Sequence, residues 1–383
     1  MKLTACLFVV CTTWSCSDNG EESGELKRMN VEKYFESPDF DNISQKVKIV
    51  NIFQPEFTDS SMLANPDILS ICDGKAYLHE RDGKWMTTFS YPDGKLIGAF
   101  NHYGVGPEEY LRNFYAFFTP TDSLWTVHNF DMSSTFELMQ YDEDGVFKRK
   151  ETIDSVWILC PMAHGNWLAM SKPFSITDGL HIFRDRIIYE YNRDWILENS
   201  IKLKNQRADI PLIWDDPINL FDGQNYITDN DTVYRYNPET KSLVPTIAIE
   251  LGRYHYDWGG LTNIEDYSSA RESYPDPKSP IFNDKYAWDY YYFGKNPIVA
   301  KFDMYNLKTG DLVYRRTITK TKENSVRPIT EGFPITIDGQ TVYGNILPFV
   351  KENHFFVCVP MDELMKIYDT DEINPVIVEI DIE

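Results

Sequence analysis

The chain has 383 residues, 42% hydrophobic and 25% charged, a composition that is globular rather than disordered. Its formal net charge is −22 and no basic stripe interrupts the acidic balance, which argues against nucleic-acid binding, since that depends on Lys and Arg displacing phosphate counterions. An aromatic content of 15%, with 24 Tyr and 23 Phe, suits pleated, half-buried strands.

After Met1-Lys2, residues 3–14 form an apolar stretch of signal-peptide length that is too short to span a bilayer. No later segment offers about 18 uninterrupted apolar residues. The stretch ends in Thr13-Trp14-Ser15-Cys16, which resembles the lipobox of bacterial lipoproteins. That resemblance implies removal of residues 1–15 as a signal peptide and a lipid anchor on Cys16. The acidic run Ser17-Asp18-Asn19-Gly20-Glu21-Glu22-Ser23-Gly24-Glu25 cannot form a core and reads as tether. It is also similar to the surface-export signal of Bacteroidetes lipoproteins. The expected organisation is a lipidated flexible tether over 16–44 and one domain over 45–383. The expected address is the outer membrane, as a periplasmic or surface-exposed lipoprotein. Cys72, Cys160 and Cys358 are far apart, lie in apolar runs and form no C-x-x-C pair, so they read as buried thiols rather than metal or redox groups.

From residue 47 onward the chain alternates apolar and polar residues between turn signals. A Tyr followed by an Asx-rich turn recurs at Tyr91-Pro92-Asp93-Gly94, Tyr141-Asp142-Glu143-Asp144-Gly145, Tyr191-Asn192-Arg193-Asp194, Tyr236-Asn237-Pro238-Glu239, Tyr305-Asn306-Leu307-Lys308-Thr309-Gly310 and Tyr368-Asp369-Thr370-Asp371. Asp-Gly and Asn-containing turns supply the positive-φ or Asx geometry that reverses a strand. Upstream of each lies a second hairpin, clearest at residues 68–78. Two hairpins make four strands in about 45–50 residues, the size of a propeller blade. The spacing therefore predicts an all-β fold, a six-bladed β-propeller with four-stranded antiparallel blades. Tandem β-sandwiches explain strand density but not one motif recurring six times. The alternating runs 47–53 and 376–382 each lack a complete unit, and the edge problem of an open ring predicts that they share one sheet.

The lipobox-like N-terminus, the hairpin Tyr91-Pro92-Asp93-Gly94-Lys95-Leu96-Ile97 and the run Gly104-Val105-Gly106-Pro107-Glu108-Glu109-Tyr110 together resemble the TolB-like six-bladed propeller lipoproteins of Bacteroidetes. The resemblance implies a fold and an address but little chemistry.

Motifs for catalysis are lacking. Gly104-x-Gly106 has no third Gly and is followed by Pro107, so it reads as an inter-blade turn rather than a nucleotide loop. The Asp142-Glu143-Asp144-Gly145 turn has Ile153 where an EF-hand requires a bidentate Glu. The seven His are dispersed, with no H-E-x-x-H and no G-x-S-x-G elbow. Extra length at 252–293 is rich in aromatics, and Tyr254, His255, Tyr256 and Trp258 are the candidate ligand-binding residues because polar-tipped rings on a loop suit sugar or peptide recognition. Residues 288–293 of the same stretch read better as a core strand. The leading expectation is a non-catalytic binding or scaffolding module for an envelope glycan, peptide or protein partner. The alternative is a calcium-dependent propeller hydrolase or lactonase, whose calcium ion would sit in the central channel on ligands contributed by several blades.

Overall fold

The computed structural model describes residues 25–383 except 65, 81–83, 112, 130–135, 155, 174, 178–179, 184, 206, 210–216, 276–278, 295–296, 321–331 and 370–373. Cys16, the signal segment and residues 17–24 lie outside the described residues.

Six four-stranded antiparallel sheets form a six-bladed β-propeller. Blade one comprises Pro66–Cys72, Lys75–Glu80, Met86–Ser90 and Leu96–Phe100, and blade two Asn113–Thr119, Leu124–Asn129, Phe136–Asp142 and Phe147–Ile153. Blade three is built from Val156–Pro161, Trp167–Ser171, Ile187–Tyr191 and Leu197–Lys202, and blade four from Ile218–Phe221, Gln224–Asp229, Thr232–Asn237 and Ser242–Ile249. Blade five contains Ile281–Phe282, Tyr286–Phe293, Ile298–Asn306 and Leu312–Lys320. Blade six takes three strands from the end of the chain, Gln340–Lys351, His354–Val359 and Val376–Ile382, and its outer strand, Val47–Phe53, from the beginning.

The recurring Tyr-Asx motif ends the third strand of blades one to five. Asp142 accepts from the amides of Asp144 and Val146, Asn192 from Asp194 and Ile196, Asn237 from Glu239 and Thr240, and Asn306 from Lys308 and Thr309. These are Asx turns, in which the side chain substitutes for a backbone acceptor. The Tyr hydroxyls bracket adjacent structure: Tyr91 donates to Glu379 of blade six, Tyr236 to Glu190 of blade three, and Tyr141 to the Glu108 carbonyl. The sixth instance departs from the expectation. Tyr368 follows the short helix Met361–Leu364 between the second and third strands of blade six and donates to Asp338. Blade six has no third turn to encode, because its outer hairpin is assembled from two distant pieces of chain.

That assembly closes the ring as the alternating runs predicted. Val47–Phe53 pairs antiparallel with Val376–Ile382, with Val47 opposite Ile382 and Phe53 opposite Ile377. Shared strands remove the open edge that an incomplete ring would expose.

The expected tether boundary at residue 44 is corrected. Residues 25–44 form a strap around the rim. Lys27–Met29 adds in parallel to the outer strand of blade four, the short helix Val31–Tyr34 sits between blades four and five, and Phe40–Asp41 pairs with the outer strand of blade five. Met29, Val31, Phe35 and Ile43 are buried. Apolar residues at those four positions make this segment part of the core rather than a linker.

Candidate functional site

Inner strands of all six blades run in one sense, so their ends define two faces. At the face where they end, first-to-second turns such as 73–74, 222–223 and 352–353 are short. At the other face the connections are longer and carry insertions: a three-stranded sheet made of Ser175–Thr177, Leu180–Phe183 and Arg207–Asp209, and the segment 250–280 with its helix Ile264–Ala270. That helix is set by Asn263, whose side chain caps the Asp266 amide, and by Glu265 and Asp266 in its first turn.

The aromatic insertion spends its rings on its own packing. Trp258 is 6% exposed and lies in a small core with Ile182, Leu261, Tyr267 and Ala270, against which Tyr256 packs, its ring centroid 5.0 Å from that of Trp258. Tyr254 stands apart from this pair. Its ring is 4.0 Å from Phe35 of the strap and its hydroxyl donates to Glu36, which raises its pKa. His255 is exposed. The structure therefore brings Tyr256 and Trp258 together, but mostly inward, and uses Tyr254 to seat the strap. A loop of this length cannot stay ordered without burying apolar surface, and its aromatics, together with Leu261 and Ile264, supply that surface. Residues 286–293 form the second strand of blade five, with Trp288 and Tyr291 fully buried.

Among the described residues a concave feature of the fold is the axial channel, a cavity of about 380 Å³. Its lining comes from the inner strands of blades one to four and six. Blade five's inner strand is only two residues long, and blades four and six meet across it. The Asp222 amide donates to the Val350 carbonyl (3.0 Å), and the Asp222 carboxylate accepts from the Glu352 amide (3.0 Å). Asp222 sits at φ 49°, a left-handed turn position that Asp tolerates.

Three tiers can be read down the channel. Its middle is an apolar collar of Leu69, Phe117, Leu159, Leu220 and Phe349, one from each contributing blade. At the strand-start end are Asp67, His79, Tyr115 and Asn219, with Asp67 and His79 directly opposite in the blade-one ladder. At the turn end are Thr121, Ala163, Asp222 and Lys351. The buried Asn225 side chain donates to the Pro161 carbonyl (2.8 Å) and so fixes blade three's inner strand to blade four.

Sequence reasoning missed these residues for a physical reason: each contributing blade supplies two or three, and the collar positions 69, 117, 159, 220 and 349 lie far apart in the chain, so no local spacing marks them. The usable signal was the alternation within each inner strand.

Among the described residues no three His, Cys, Asp or Glu gather so as to hold a metal ion. Burial pushes the Cys72 thiol up, and the Cys358 thiol up to about 12. Neither is a thiolate nucleophile at neutral pH. The chemistry this site offers is apolar contact with polar ends.

No family model and no curated protein matches the chain. Solved structures do match. One is a Bacteroides fragilis NCTC 9343 protein (BF0058) designated an exported protein, 12% identical, TM-score 0.57, covering 89% of this chain and 97% of that one. Another is a DUF4221 family member from Bacteroides vulgatus, 10% identical, TM-score 0.53, covering 89% and 99%. They share its fold. A PQQ-bound aldose sugar dehydrogenase from Streptomyces coelicolor overlaps at TM-score 0.42 and 12% identity, covering 88% and 98%.

Proposed function

We propose that this protein is a non-catalytic binding module of the bacterial envelope, an exported propeller related to the TolB-like lipoproteins and anchored through Cys16 to the outer membrane. It engages a glycan, peptide or protein partner, and the axial channel is the part of the surface that receives the recognised group. One observation carries this reading: the channel's middle is an apolar collar contributed by five blades, a surface suited to apolar contact. The address is supported by the lipobox-like run at Thr13-Trp14-Ser15-Cys16. A designated exported protein among the fold neighbours is consistent with it.

Leu220→Trp, which fills the collar, is the informative variant. Envelope-derived glycan and peptide fractions should raise the melting temperature of the unsubstituted protein and leave Leu220→Trp unmoved. Turnover of ester or lactone substrates that disappears in Asp67→Asn would overturn the reading. Metabolic labelling with an alkyne fatty acid should mark the chain and be lost in Cys16→Ser, and retained labelling in that variant would refute the anchor.

A further inference from the structure

We infer that the channel takes an uncharged molecule with an apolar ring or chain as its body, and that the molecule enters from the turn face. The inference rests on the binding reading above and names the ligand class for that site. Access comes first. Of the lining residues, Pro120, Thr121, Ala163, Asp222 and Gly223 are exposed where inner strands end, and Pro348 is exposed near the end of blade six's inner strand. At the opposite end His79 is 1% exposed and Asp67, Tyr115 and Asn219 are half-buried, under the face that carries the insertions. Among the described residues the open mouth is therefore the one with short turns, where no long connection crosses the path.

The body follows from the collar. Leu69, Phe117, Leu220 and Phe349 are half-buried rather than buried, so they keep apolar surface facing the channel. Covering that surface with an apolar group is favourable in proportion to the area removed from water. A space of about 380 Å³ is at the small end of small-molecule sites, and it admits one ring system or short chain rather than a folded partner.

Charge decides the rest. The lining holds two carboxylates, Asp67 and Asp222, against one ammonium, Lys351, whose Nζ lies 3.7 Å from Glu352. The chain as a whole carries −22. An anion would lose its hydration inside the collar and gain no dedicated counter-charge, whereas an uncharged body loses little.

A pair of photoaffinity probes of nearly equal shape tests this: the para-carboxamide of trifluoromethyl phenyl diazirine, which is neutral, and its para-carboxylate, each irradiated with the full-length protein, with adducts mapped by peptide mass spectrometry. The neutral probe should label peptides within 66–72, 113–121, 156–163, 218–223 and 345–351 saturably. The carboxylate should label them roughly ten-fold less, because its charge must be desolvated. Leu220→Trp should abolish channel labelling. Should that variant melt early, Thr121→Trp at the exposed mouth gives the same block without touching the collar. Adducts scattered over the surface, equal labelling by both probes, or channel labelling that survives both variants would each overturn the inference. Envelope fractions that stabilise the protein while the neutral probe stays out of the channel would remove the ligand class and leave the binding reading standing.

Discussion

Glu379 holds the closing seam together at the level of single side chains. Its carboxylate accepts from Asn51 of the strand contributed by the chain's beginning, from Tyr91 of blade one, and pairs with His354 Nδ1 at 2.7 Å within blade six. Burial on its own would raise this carboxyl, but the hydrogen bonds from Tyr91, His354 and Asn51 outweigh it and hold the group below its usual range. A folded-state pKa below the unfolded one means stability that is present above the unfolded value and lost as pH falls through the folded one. Glu379→Gln should therefore cost about 1–3 kcal/mol near neutral pH, the scale for a buried charge-assisted hydrogen bond. In denaturant titrations the gap between the two proteins should close as pH drops below about 4, the ordinary Glu range. A pH-independent gap would show that the charge is not what stabilises the seam.

Among the elements, the strap is attached electrostatically as well as through apolar burial. Arg315, fully buried and paired with Asp303, donates to the carbonyls of Phe35 (3.0 Å) and Ser37 (3.3 Å), and Lys301 reaches the Phe35 carbonyl with its ammonium 4.3 Å from the Phe35 ring centre. On the outer side Asp311 accepts from Lys33 and Tyr34, which holds its carboxyl down to about 2 from the usual 3.8. The sign is that of a depressed carboxylate, so the contact is intact above pH 4 and fades between about 4 and 2. Hydrogen-exchange protection factors of the amides at 27–36 should fall over that window, and Asp311→Asn should show the lower protection already at pH 7. The strap also covers the outer edges of blades four and five, which would otherwise present unpaired backbone to other chains.

For the molecule as a whole, closure through a two-piece sheet makes the ring cooperative. Removing 376–383 takes away the third strand of blade six and leaves Val47–Phe53 without a partner. Two edges then open at once. Calorimetry on that deletion should show loss of the single sharp transition, and an undisturbed melt would mean that the blades are stable independently. The same closed geometry creates the channel, which is lined by the inner strands of five blades, blades four and six meeting across the short strand Ile281–Phe282 of blade five.

Turn chemistry was legible because it is local. Asp142, Asn192, Asn237 and Asn306 make their Asx turns with amides two to four residues away, so five outer hairpins, the blade length and the alternating strands could be read from order alone. The matching of 47–53 with 376–382 was also legible, because two orphan strands in a ring have one place to go. Other features lay beyond local order. Tyr368 carries the same letters as its five counterparts but sits in an insertion, because a closure made from two chain ends abolishes the turn those letters would encode. Residues 27–43 look polar enough for a tether, yet Met29, Val31, Phe35 and Ile43 find core positions on blades that begin some 200 residues later. Tyr254 and Trp258 look like recognition residues until their packing partners, Phe35 and Tyr267, are in place. The channel is the extreme case, since its collar takes one residue per blade. Short-range order records how the backbone turns, whereas burial depends on which distant surfaces meet, and only the closed ring decides that.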